Sequence, residues 1–92
     1  MEKSLEKHLE ETFKIPGVSS VICTDEQGLC LGLKGSCHAN VAGPIATLAK
    51  QADELRRTTN APNPPSICIE SEAGSVLIGK KDDITMAIFK SS

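Results

Sequence analysis

The sequence has no tryptophan and no tyrosine, and Phe13 and Phe89 are its only aromatic residues of the Phe, Trp and Tyr class. Ligand pockets usually have aromatic walls, and single-stranded nucleic acid usually stacks on aromatic platforms, so both kinds of partner are disfavoured. Charge of one sign is missing too: 10 Lys and Arg stand against 12 Asp and Glu, a net −2. Nucleic-acid binders gather a basic excess on one face, so nucleic acid is not an expected partner. No apolar run approaches the ~18 residues of a membrane-crossing helix. The opening Met1-Glu2-Lys3-Ser4 lacks the apolar core of a signal peptide, and Glu2 stands where N-myristoylation needs glycine. A cytoplasmic chain with no membrane insertion of its own is expected, its thiols kept reduced.

Catalytic signatures are also missing. The sequence holds no G-x-S-x-G, Walker loop, H-E-x-x-H or dinucleotide fingerprint, and its glycines are scattered. Four cysteines are present, Cys23, Cys30, Cys37 and Cys68, without a Cys-x-x-Cys pair. Structural zinc sites prefer ligands two to four residues apart, so these thiols read as small hydrophobes inside strands. A metal or thiol-enzyme role for the adjacent Cys37 and His38 is the alternative, and disulfides a further one. Asp82-Asp83 reads as a solvated turn, and His8 as a solvated histidine at a helix border. The expectation is a non-enzyme with no catalytic, cofactor or metal site.

What is present is an aliphatic chain of one domain's length, residues 1–92. Surface scaling allows roughly 5,100 Å² folded against roughly 14,000 Å² unfolded, so about 64% is hidden. That suffices for one thin core of Ile, Leu, Val and Ala. Glu2 to Ile15 reads as an amphipathic helix with Leu5, Leu9 and Phe13 on its stripe and a Glu10–Lys14 pair on its wet side, ended by Pro16-Gly17. Val18–Asp25 and Leu29–Gly35 read as a hairpin with Gly28 left-handed in its loop. The first of these strands is apolar on both faces. The second alternates, placing Leu29, Leu31 and Leu33 on a buried face. A second helix spans about Asn40 to Arg57, with Asn40 as N-cap and Pro44 in the first turn. Thr58–Pro65 is an extended linker. Three strands follow, Ser66–Ser71, Ser75–Lys80 and Ile84–Lys90, and the last is apolar on both sides, as a central strand is. The fold class is α+β, in the order α-β-β-α-β-β-β, with a five-stranded, mostly antiparallel sheet and helices packed on both faces.

The second helix carries more apolar surface than one sheet face needs. Val41, Ile45, Leu48, Ala52 and Leu55 span about 80°, an ordinary core stripe, while Ala42, Ala46 and Ala49 extend it to roughly 180°. Gly43 widens that smooth flank, which suits close approach by a partner helix. Ser66-Ile67-Cys68-Ile69, if at the sheet edge, has no charge, proline or bulge to blunt it before Glu70.

The chain resembles the roadblock/dynein-light-chain superfamily, and within it the small subunits of the Ragulator complex. The resemblance rests on L-E-K-H-L-E-E-T at Leu5–Thr12, C-T-D-E-Q-G-L at Cys23–Leu29, and Ala42-Gly43 followed by L-A-K-Q-A at Leu48–Ala52. It continues with C-I-E-S-E-A-G at Cys68–Gly74 and D-D-I-T at Asp82–Thr85. Pro44 and the proline-rich linker depart from the pattern. The resemblance implies dimerisation through the second helix and third strand, with an interface of Ala42, Gly43, Ala46, Ala49, Lys50, Asp53, Ile67, Cys68 and Ile69. It also implies a scaffold at the cytosolic face of the lysosome, attached through a lipidated partner subunit. That scaffold holds Rag GTPases and supports amino-acid-dependent TOR kinase activation, with binding of a viral X protein and a link to apoptosis. The alternative within the superfamily is a dynein-associated light chain or a homodimeric small-GTPase regulator.

Overall fold

The strand that is apolar on both sides takes the middle of the sheet. The computed structural model describes residues 2–60, 65–81 and 83–91. Its elements are α1 (Glu2–Phe13), β1 (Val18–Thr24), β2 (Cys30–Gly35), α2 (Ala42–Thr58), β3 (Ile67–Ser71), β4 (Gly74–Lys81) and β5 (Ile84–Ser91). They form one sheet of order β2-β1-β5-β4-β3, antiparallel at every step. The α+β class, the element order and a helix on each face are as the sequence predicts.

Alternation along β1 and β5 divides two cores. Ile22 and Ala87 face α2, joined by Ala42, Ile45 and Ile78. Val21 and Cys23 face α1 around Leu9, with Ile84, Met86 and Ile88 of β5 alongside. Fully burying such an aliphatic side chain is worth about 1.5–3 kcal/mol, and the two-faced strands bury side chains on both sides of the sheet. Helix α1 stops at Phe13 rather than Ile15, because Pro16 disfavours the helical conformation in the residue before it. Glu10 pairs with Lys34 of β2 at 3.6 Å, not with Lys14, so it ties α1 to the sheet.

Strand β2 departs from its expected alternation. Cys23 pairs with Gly32, but Thr24 pairs with Cys30, so Leu31 is bulged out of the ladder. The extra residue switches parity. Cys30 and Leu33 face α2, Leu31 is exposed, and Leu29 is 64% exposed in the loop. Gly32 turns to α1, where a side chain would meet Leu9 Cδ1 at 2.5 Å. The hairpin loop closes on Asp25, whose Oδ1 accepts hydrogen bonds from the N–H groups of Gln27 and Leu29, each at 2.9 Å. Gly28 takes φ +90, as expected.

The chain leaves β2 under the control of Ser20, whose buried hydroxyl accepts from the N–H groups of Ser36 and Cys37 at 3.0 Å. Cys37 therefore sits in a connection, not in a strand. A 3₁₀ turn at Ala39–Val41 precedes α2, and Val41 occupies the N-cap without a side-chain cap. Asn40 thus lies inside that turn and is not the N-cap. Pro44 stands in the first turn of α2, where its missing N–H is least costly. The helix runs through Thr58 and ends at Asn60, whose φ of 58 closes it while its N–H bonds to the Arg57 carbonyl. Half of the expected linker, residues 61–64, lies outside the described residues, as does Asp82 of the expected acidic turn.

Candidate interaction interface

Helix α2 is turned about its axis relative to expectation. Its buried residues are Ala42, Ile45, Ala46 and Ala49. At 100° per residue that stripe is centred roughly 90° from the one the leucines mark. Small side chains let a helix backbone come close to the sheet it packs on, here β1, β5 and β4. The cost falls on the other flank, where Leu48 and Ala52 are half-buried and Leu55 is 66% exposed. Ala42, Ala46 and Ala49 are therefore buried in this chain's own core. Gly43 is exposed, yet its Cα is the seat of the β1–β2 loop: a Cβ on Gly28 would stand 3.1 Å from it. The apolar flank that remains open on α2 is the leucine one, which composition alone does not distinguish from a core stripe.

The third strand lies at the end of the sheet. Its ladder with β4 runs from Ile67↔Ile78 to Ser71↔Gly74 without a register shift. The larger helix contacts lie elsewhere, α1 on β1 and β2 and α2 on β1, β4 and β5, and of β3 only Ile67 packs against the α2 core. Ile67 is therefore only half-buried and Ile69 is 45% exposed on the α2 side, while Cys68 is exposed on the opposite face. Among the described residues no other strand pairs with its outer rim.

Charges frame this bare end. Asp53 accepts from Arg56 Nε at 3.0 Å and from Arg57 Nη2 at 3.1 Å. The Arg56 hydrogen bond, helped by the charges of Arg56, Arg57 and Lys80, holds its carboxyl below the usual carboxylate range. Lys50 is exposed one turn earlier. Lys80 is held by Glu26 at 3.1 Å, linking β4 to the β1–β2 loop. Of the thiols, burial pushes Cys23 up to about 11, with Cys30 adding to the shift. Burial also raises Cys37. All four cysteines are free thiols, and no group of His, Cys, Asp or Glu among the described residues is placed to hold a metal. His38 is exposed in the connection before α2.

Residues 1–90 match the family described as LAMTOR5, Ragulator complex protein LAMTOR5. The chain belongs to the LAMTOR5 family. A LAMTOR5 protein of Xenopus laevis is 46% identical over 90 residues, covering 98% of this chain and 97% of that one. A LAMTOR5 homolog of Nematostella vectensis is 39% identical over 90 residues, with the same coverage. These matches favour a Ragulator subunit over the dynein-associated or homodimeric alternative. Among solved structures, Myxococcus xanthus MglB superposes with a TM-score of 0.87 at 11% identity, covering 99% of this chain and 72% of that one. The roadblock/LC7 domain of Streptomyces avermitilis superposes with a TM-score of 0.74 at 12% identity, covering 92% of this chain and 73% of that one. At such identities the likeness is one of fold, and it places the LAMTOR5 chain in the roadblock/LC7 architecture. Among the described residues no helix is long and apolar enough to cross a membrane.

Proposed function

We propose that this chain is a non-catalytic scaffold subunit that pairs with a second roadblock subunit, β3 rim to β3 rim, with the leucine flank of α2 against the partner. The observation that carries the reading is the open β3 end: an in-register strand whose outer rim pairs with no other described strand, with Ile69 exposed beyond the margin of α2. The chain exposes 6201 Å², where a monomer of its mass shows roughly 5,100 Å². The excess is of the order of the ~800 Å² that one partner contributes to a standard interface. Strand addition satisfies the unpaired N–H and C=O groups of the rim. Within the earlier interface expectation, Ile67, Cys68, Ile69, Lys50 and Asp53 stay in the proposal. Gly43 stays beside them, Leu48 and Leu55 are added, and the three alanines leave it.

In a Ragulator assembly such a pair helps hold Rag GTPases at the cytosolic face of the lysosome, a lipidated subunit supplying the membrane anchor, and so supports amino-acid-dependent TOR kinase activation. Residues 1–92 act there as one roadblock-type domain. The motif resemblance reaches the hepatitis B virus X-interacting protein, so contact with a viral X protein and a tie to apoptosis control belong to the same proposal. The test is co-purification from cell lysate with tagged wild-type chain and Ile69→Asp. The wild type is expected to retain a second roadblock subunit and the variant to lose it while keeping its circular-dichroism spectrum; retention by the folded variant would overturn the assignment.

A further inference from the structure

Helix α2 is anchored at one end only. Its buried residues, Ala42, Ile45, Ala46 and Ala49, all fall toward its start, and after Ala49 no residue of the helix is buried. The remainder is held mainly by its own hydrogen bonds, and segments of that kind open first. Hydroxyls close its end. Thr58 Oγ1 donates to the Glu54 carbonyl at 2.9 Å. Thr59 Oγ1 shares its proton between the Leu55 and Arg56 carbonyls, at 3.0 and 3.1 Å. Both threonines are exposed, and Thr59 stands just past the last helical residue. Arg57 and Arg56 precede Thr59 by two and three residues and are the only arginines of the chain. Within the helix both guanidinium groups bond Asp53.

We infer that Thr59 is a phosphorylation site for an arginine-directed serine/threonine kinase, and that a phosphate there unwinds the last turn of α2. Such kinases bind an extended substrate and read arginines two and three residues before the acceptor with carboxylates of their own. Thr59 is the one hydroxyl of this chain at that spacing, and the weakly anchored helix end supplies the extended form when it frays. In the transfer, Thr59 Oγ1 attacks the γ-phosphorus of magnesium-bound ATP. The Oγ1–P bond forms as the bond to the β–γ bridging oxygen breaks, ADP leaves, and the hydroxyl proton passes to the kinase's catalytic aspartate. The product has lost the proton that the Leu55 and Arg56 carbonyls shared. It also places about −1.5 to −2 charge at the negative end of the helix dipole. Both effects favour the unwound turn, and arginine pairing does not offset them, because both guanidinium groups already bond Asp53. Leu55 rides on that turn, so the mark also weakens pairing. This last consequence rests on the interface proposed above, whereas the site and the unwinding do not.

The test incubates the 92-residue chain with magnesium ATP and the catalytic subunit of an arginine-directed kinase, and maps the product by mass spectrometry. One phosphoryl group is expected, on Thr59. Arg56→Ala and Arg57→Ala should each slow the transfer at least about tenfold, Thr59→Ala should abolish it, and Thr58→Ala should leave it unchanged. Amide hydrogen exchange then compares the modified and unmodified chains. The N–H groups of Arg57, Thr58 and Thr59 should exchange at least about tenfold faster after phosphorylation, and those of Ile22 and Ala87 at the same rate as before. In lysate with phosphatase inhibitors, the tagged phosphorylated chain should retain at least about tenfold less of a second roadblock subunit than the unmodified chain, whose own retention reads the pairing separately. Modification elsewhere or not at all, a rate indifferent to both arginines, or unchanged exchange at the helix end would each overturn the proposal. Equal retention by the two forms, where the unmodified chain holds its partner, would overturn the effect on pairing.

Discussion

The two ends of the sheet are both edge strands, and they are finished differently. At the β2 end a bulge expels Leu31 from the ladder, Lys34 reaches to Glu10, and α1 packs close enough that Gly32 has no room for a side chain. At the β3 end the ladder is regular, only Ile67 reaches the margin of the α2 core, and Ile69 stands exposed. Bulges, charges and covering helices are the usual ways of keeping an edge from pairing with another chain. One end has all three; the other has neither bulge nor charge before Glu70, and α2 reaches only its first residue. The contrast says which end is built for company.

Alkylation should expose the largest difference. At neutral pH a thiol reagent should modify Cys68, on the bare strand, at least about a hundredfold faster than Cys23, which reacts only when the centre of the sheet opens. Comparable rates, read by mass spectrometry, would erase the distinction between a closed centre and an open end. The raised pKa of Cys23 adds a pH arm. Folded Cys23 titrates at about 11 against 9.0 for the ordinary thiol. Stability should therefore be unaffected below 9 and fall as pH climbs from there through 11, and Cys23→Ala should flatten that loss in urea titrations.

Ala49→Glu should unfold the chain itself, by about 3 kcal/mol or more, because it buries a carboxylate in the α2 core. A stable Ala49→Glu monomer would mean that α2 is turned as the leucine stripe suggests. Leu55→Glu is the matched change on the exposed flank: stability should move by under about 0.5 kcal/mol while partner affinity drops at least about tenfold. Leu31→Asp on the bulged edge should change neither stability nor partner retention measurably, and a loss of partner there would reverse the roles of the two ends. The smallest effect belongs to Asp53. Its carboxyl is held below 3.8 by Arg56, so it stabilises the fold above that pH and ceases to as pH falls through the lowered value. Asp53→Asn should remove that small acid-side slope in chemical denaturation and leave the neutral-pH spectrum intact.

Much of this molecule was legible from single residues. Val21, Ile22 and Cys23 in succession, like Met86, Ala87 and Ile88, mark strands covered on two sides, and those strands are β1 and β5, next to each other at the sheet's centre. Gly28 in its loop and Ile67–Ile69 at the rim were readable for the same reason, since turn conformation and edge exposure follow from local chemistry. The failures have a common cause. Leu31 is expelled because Cys30 and Gly32 fit the two faces better than a strict alternation does, and nothing in the alternation announces a bulge. The alanine side of α2 was read as surface because apolarity measures how greasy a face is, not how near it lets a helix approach.

Residue order by itself thus determined the element sequence, the two-faced central strands and the unprotected strand after the linker, all of which depend on period-two or period-3.6 patterning and on turn chemistry. Which arc of α2 meets the sheet, which leucine leaves β2 and how far each helix spreads were decided only in the assembled fold. Those choices are set by volume: a helix settles where its small side chains let it come closest, and the bulkier ones are left to whatever lies outside.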